Sequence, residues 1–344
     1  MDNKITKKRF SDLFSYEWIF AIIVCLISIF VWELVYTVTA VQLTPGQKFH
    51  FYFDETVDGK STPILQTLEG DTLSYDILSL SAEQLKSDFN VLSARLAIQE
   101  GDILITDNKQ NYTEVQEGSN QVKKPKEIRV KKMVDEYGLY SLEQMLIDGQ
   151  NYLKDNFLVD GADITAFNTF NEDNIDLEKV EKVFKSRMKN DNRFRKQSEI
   201  ENGVELELKR VKLLYKNLVD FNKVLALKDE VPSLFTIYTK GEQSLEFATD
   251  DATIKRWQSV VDNEKKLGRE NQIYAINIGA LASSNYFNNK TKVNPSKFFT
   301  LAGSDSAENV CITAFNFTSY QPHLQFETIP FINAFIRACS TILD

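Results

Sequence analysis

The chain has two histidines, His50 and His323, and three cysteines, Cys25, Cys311 and Cys339, among 344 residues. That scarcity excludes several chemistries at once. There is no CxxC and no cysteine–histidine cluster, so the three or four ligands of a zinc site are missing. His323 has Glu327 four residues on, which is one pair and no more. His50 stands among aromatic residues, the setting of a packed or surface histidine and not of a general base. No G-x-S-x-G elbow, H-E-x-x-H or P-loop occurs. Carboxylates are so abundant that a paired-acid mechanism fits everywhere and therefore points nowhere. No repeat of solenoid or propeller period is present. The expectation is a protein with no catalytic constellation, no cofactor and no metal.

Positive charge is also in deficit. Lysine and arginine number 40 against 49 aspartates and glutamates, a net charge of −9. Nucleic-acid binders carry basic fields, so a nucleic-acid partner is not expected.

Long apolar runs are absent except for one. Residues 18–40 begin WIFAIIVCLISIFVWELVYTV, and a helix of about 20 apolar residues crosses the roughly 30 Å hydrocarbon core. Trp18, Trp32 and Tyr36 suit the headgroup level. Residues 1–17 carry Lys4, Lys7, Lys8 and Arg9, and beyond the run no basic residue appears before Lys48. The positive-inside bias then predicts a single-pass protein of the cell membrane: a cytoplasmic tail (1–17), a transmembrane helix (18–40) and an extracytoplasmic domain (41–344). Val38-Thr39-Ala40 loosely fits a signal-peptide cleavage site, but the run exceeds the usual ~7–15-residue signal core, which favours an anchor. Cys311 and Cys339 would then be exported, either as a disulfide or as two buried thiols.

Within residues 41–344 the pattern alternates between strand and helix periods. KFHFYFDE (48–55) places Phe49, Phe51 and Phe53 on one face and His50, Tyr52 and Asp54 on the other. LSYDILSL (73–80) predicts a second strand. Ser81 with Gln84 reads as a capping box opening a helix to Gln99, with Leu85, Phe89, Leu92 and Leu96 on its apolar face and Gly101 ending it. DILITD (102–107) follows, so a βαβ unit with parallel strands is expected. The basic run VKKPKEIRVKK (122–132) reads as a solvated loop or hairpin, with contact to anionic lipid as its alternative. A helix is expected over 141–157, a charged helical pair over 175–227 and another helix over 250–267. Strands are expected at 234–239, 273–278, 297–301 and 309–317, and a closing helix at 325–343 through Phe331, Phe335 and Ile336. Pro330 requires that helix to start near Thr328.

This order, with FHFYFDE, the LSYDILSL–helix–GDILITD unit, PSLFTIYT, YAINI and AFNFTSYQPHLQFETIPFINAFI, resembles extracellular solute-binding proteins of bacterial ABC importers. The resemblance implies an α/β fold of two lobes, periplasmic-binding-protein-like, with the helical pair as an insertion. It implies non-covalent capture of a polar small solute or peptide in an interlobe cleft, by hinge closure. The residues it places at the cleft are Asp107 and Asn108 after DILITD, Tyr286 in the Asn-rich loop, and Asn316 after NVCITAF. Such proteins are usually lipid-anchored or released, whereas this chain keeps an apolar helix. The alternative is a membrane-anchored scaffold that binds another protein or a membrane complex, docking through residues 175–227.

Overall fold

The computed structural model describes residues 11, 18–39, 47–59, 72–85, 90–98, 100–117, 120–162, 168–189, 191–283, 285–316 and 326–344. The N-terminal unit holds α1 (Trp18–Thr39), of which Trp18–Tyr36 is long and apolar enough to cross a membrane. Its large apolar side chains are exposed, from 45% at Ile23 to 73% at Phe30 and Trp32. By length and composition this is a membrane anchor or a signal sequence.

Residues 45–344 form one compact unit. Its chain order is β1 (Lys48–Phe53), β2 (Val57–Gly59), β3 (Ser79–Gln84), α2 (Asn90–Ala97), β4 (Ile103–Asp107), β5 (Tyr112–Glu117) and β6 (Asn120–Pro125). There follow α3 (Arg129–Tyr137), α4 (Leu142–Phe157), α5 (Leu177–Arg187), α6 (Gln197–Ala226), β7 (Phe235–Tyr238), α7 (Glu242–Glu246) and α8 (Asp251–Lys266). The chain closes with β8 (Gln272–Asn277), β9 (Phe299–Leu301), β10 (Val310–Ala314) and α9 (Thr328–Cys339).

A mixed six-stranded sheet runs β3-β1-β4-β10-β8-β7. β3 and β4 lie parallel to β1 on either side of it, while β10 is antiparallel to both β4 and β8. The sheet is covered on both faces. Phe49, Phe51, Phe53, Ile103 and Ile105 join the core shared with α4, α6 and α9; Tyr52 and Leu104 join a second core with α2 and α3. The FHFYFDE alternation therefore separates two cores. Tyr52 and Asp54, expected on a polar face, are both fully buried. Tyr52 is accommodated because its hydroxyl donates to the Glu100 carbonyl.

The βαβ expectation holds for β3–α2–β4, with β1 between the two parallel strands. Its boundaries need correction. Of 73–80 only Ser79 and Leu80 are strand, and Ser81–Gln84 extends that strand where a capping box was expected. The cause is non-local. All six residues of β3 pair with Lys48–Phe53, and the Gln84 amide donates to the Asp54 and Val57 carbonyls instead of capping a helix. The helix spans Asn90–Ala97 and buries Leu92; Leu85, also buried, is not on it but follows β3, its N–H donating to the Phe53 carbonyl, and Phe89 lies outside the described residues. α4 is capped by Ser141, whose hydroxyl accepts the Gln144 N–H. α9 starts at Thr328, as Pro330 demands, and buries Phe331, Phe335 and Ile336. The basic run lies in the β5–β6 hairpin and α3.

Cys311 and Cys339 are free buried thiols, and burial raises both, Cys339 to about 12. They belong to different clusters, Cys311 with Ala275 and Val130, Cys339 with α9's core.

Candidate functional site

In open α/β sheets ligands gather at the carboxyl ends of strands where the strand order reverses. Here β1 sends the chain to β3 on one side and β4 on the other, so that place is the β1/β4 edge. DILITD delivers Asp107 to it. Asp107 is 3% exposed, its carboxylate accepts the Lys109 N–H at 2.9 Å, and burial raises its pKa. Asn108 is alongside. Its amide donates to Asn277 Oδ1 at 2.8 Å and to Thr236 Oγ1 at 3.3 Å, which ties the ends of β4, β8 and β7 together.

The other two expected residues are elsewhere. Because β10 is antiparallel to β4, its final residue Ala314 pairs with Ile103, so Asn316 follows at the amino end of β4, on the opposite edge from Asp107. Tyr286 stands in the loop beyond β8, its carbonyl accepting the Thr341 N–H near the end of the chain. The four residues do not form one site.

At the edge itself the strongest interaction is one that the sequence concealed. Asp54 is fully buried, and Arg129 donates to it twice, Nε to Oδ2 at 2.7 Å and Nη2 to Oδ1 at 3.0 Å. The Thr106 hydroxyl donates to Oδ2 at 2.8 Å. Asp54 ended a strand pattern and Arg129 belonged to a basic run, and only the fold joins residues 75 positions apart. The edge is thus filled by its own side chains. Beside it, between the loop after β8 and the turn before β10, lies a cavity of about 400 Å³ lined by Gly279, Asn294, Ser296, Asp305 and Glu308.

A second polar assembly fixes the charged helical pair. Arg187 of α5 and Arg210 of α6 both grip Glu207, at 2.6 and 2.8 Å. Arg187 and Arg193 clasp Asp76 from the turn before β3, at 2.8 and 2.9 Å. The Tyr75 hydroxyl donates to Glu207, and the Ser74 N–H donates to Glu327 at the start of α9. Asp76, Glu207, Arg210 and Glu327 are each 3% exposed or less. Three guanidiniums face four carboxylates once Asp191 is counted with Arg193. Burial lifts Glu327 to about 7, whereas the two arginines outweigh burial at Glu207 and hold it near 2. The sequence signals for this assembly were the YD of LSYDILSL and the E-x-x-R of α6, both readable as surface residues.

Two hollows open on the helical pair. One, about 570 Å³, lies between the end of α5 and the start of α6 and is lined by Phe184, Met188, Phe194 and Ile200 with Lys185, Lys189 and Arg195. The other, about 290 Å³, is lined by Leu73, Tyr75, Leu206 and Leu213 with Lys209, Lys212 and Lys216. Among the described residues no group of three or more histidine, cysteine, aspartate or glutamate side chains is arranged to hold a metal ion.

Comparison with protein-family models, with curated proteins and with solved structures gives no match to this chain.

Proposed function

We propose that this protein is a membrane-anchored binding module that presents the α5–α6 pair to a protein partner on the extracytoplasmic side, with no covalent step. The observation carrying this reading is the buried arginine–carboxylate assembly. It fixes both helices to the turn before β3 and to the start of α9, while α6 leaves Leu206, Lys209 and Lys216 at the surface. A surface held in this way loses little conformational freedom on association, which is where much of the cost of binding arises. The filled β1/β4 edge supports the same choice, because Asp107 and Asn108 already have internal partners. The test is a photo-crosslinking amino acid at exposed Glu205 on α6, in cells producing the full chain. A discrete protein adduct is expected there and none from exposed Lys255 on α8. Equal adducts from both positions, or none from either, overturn the reading.

A second reading, capture of a polar solute or peptide, is favoured by one observation: Asp107 and Asn108 lie at the strand-order reversal, with a 400 Å³ cavity close by. The two-lobed receptor fold belongs to this reading. A thermal-shift screen against sugars, amino acids and short peptides tests it, since a ligand at 100 times its Kd adds about 2.7 kcal/mol. A screen with no shift at millimolar ligand removes it.

A further inference from the structure

The two hollows on the helical pair meet through one ring contact. Tyr75, which lines the smaller, packs edge-on against Phe194, which lines the larger, with ring centroids 6.3 Å apart. Both have the same construction: a floor of aromatic, leucine, isoleucine and methionine side chains, and a rim of lysine and arginine. Six cations stand on that rim, Lys185, Lys189, Arg195, Lys209, Lys212 and Lys216, with the buried Arg210 beneath the smaller hollow, and among the described residues the sole acidic one lining either hollow is Asp191. Asp191 is not available to them. Arg193 holds both of its oxygens, and this lowers its pKa.

The rim cations differ in how they are engaged. Lys185, Lys209 and Lys212 reach Glu181, Glu205 and Glu172, pairs between side chains that are mostly well exposed to solvent. Such pairs contribute ~0–1 kcal/mol and exchange readily for another carboxylate. Lys189, Arg195 and Lys216 pair with no carboxylate among the described residues. Arg195 reaches the neutral Asn192, and Lys216 lies over the Phe170 ring at 5.0 Å. A chain of net charge −9 therefore concentrates cations around the hollow where α5 meets α6.

Resting on the reading of α5–α6 as a docking surface, we infer that the partner presents an acidic amphipathic segment. Its apolar side chains enter the two hollows, and its carboxylates meet Lys189, Arg195 and Lys216. The apolar floor supplies affinity through burial, and the cationic rim selects for acid and accelerates encounter. An amphipathic segment in a groove is a recurring mode of peptide recognition. A basic segment is rejected by like charge at the same rim.

The experiment uses the full chain in nanodiscs of zwitterionic lipid, with empty nanodiscs as control. Fluorescence polarisation follows three labelled synthetic peptides: one built of Glu-Glu-Leu-Leu blocks, one of Lys-Lys-Leu-Leu and one of Glu-Glu-Ser-Ser. The acidic leucine peptide is expected to bind at least tenfold more tightly than either control, and to weaken as salt rises from 50 to 500 mM. The triple variant Lys189→Glu, Arg195→Glu, Lys216→Glu alters exposed side chains only. It should keep the parent melting temperature, lose at least tenfold for the acidic peptide and gain for the basic one. The Glu205 crosslink, repeated in this variant, separates the two proposals. If the peptides bind alike, or reversal has no effect, while the adduct persists, the acidic-segment inference falls and the docking reading stands. If the unaltered chain gives neither adduct nor peptide binding, both fall.

Discussion

Asp54 shows what a single buried carboxylate demands of its surroundings. It sits at the end of β1 with no solvent exposure, held by the fork of Arg129 and by the Thr106 hydroxyl. Removing one member of such a pair leaves the other charge buried alone, which costs about 3–5 kcal/mol. Arg129→Met should lower the urea midpoint accordingly. Asp54→Asn added to it should recover much of the loss, because the uncompensated charge is gone; additive losses in the cycle would show that the pair is not coupled. Glu327 makes a pH-dependent contribution of known sign. Its ordinary value is 4.5 and burial raises it to about 7, so between these values the folded chain holds a proton that the unfolded chain has released. Stability from this group is full below pH 4.5, declines as pH rises and is level above about 7. Across that window the decline is about 3 kcal/mol at most. Glu327→Gln keeps an acceptor for the Ser74 N–H but cannot ionise, so its stability relative to the parent should rise by that amount. Parallel profiles for the two proteins would refute the assignment.

Among the elements, the α5–α6 pair depends on a close approach at Gly203. This glycine is buried in the first third of α6, and a Cβ placed on it would lie 2.2 Å from Cζ of Phe184 on α5. Alanine in a helix interior ordinarily stabilises by roughly 1 kcal/mol over glycine. Here the ring is 1% exposed and must shift to admit the methyl, and overpacking a core costs about 1–3 kcal/mol. Gly203→Ala should therefore lower the melting temperature despite its better propensity, and Phe184→Leu in the same chain should restore part of it. An increase in stability from Gly203→Ala alone would mean that the helices do not meet there. The same contact supports the Phe184 floor of the larger hollow, so the alanine variant also tests whether the hollow needs this helix spacing.

For the whole molecule, the organising feature is α1 followed by one compact α/β unit. With Lys4, Lys7, Lys8 and Arg9 before the apolar run and no basic residue after it until Lys48, the charge bias predicts that the unit lies outside the cytoplasm. A reporter active only after export, fused behind Asp344, should be active. Neutral residues at those four positions should reduce its activity by inverting part of the population. A reporter active only in the cytoplasm from the unaltered chain would reverse the topology and remove the extracytoplasmic partner.

The sequence by itself determined the elements whose signal is local. The apolar run, the period-two pattern of β1, the DILITD strand, the helices α4, α6, α8 and α9 and the start of α9 at Thr328 all follow from neighbours within a turn or two of one another. It determined also that Asp107 and Asn108 end a strand. Tertiary structure alone decided the fate of Ser81–Gln84, where six parallel pairings with β1 outweigh one capping box. It alone turned the His50–Tyr52–Asp54 face inward, because a second layer of helices covers that side of the sheet. And it alone sorted the polar residues. Asp54 with Arg129, Asp76 with Arg187, and Asn108 with Asn277 are pairs separated by 75, 111 and 169 positions. No periodicity encodes such meetings, since their energy exists only when strand order has brought the partners together.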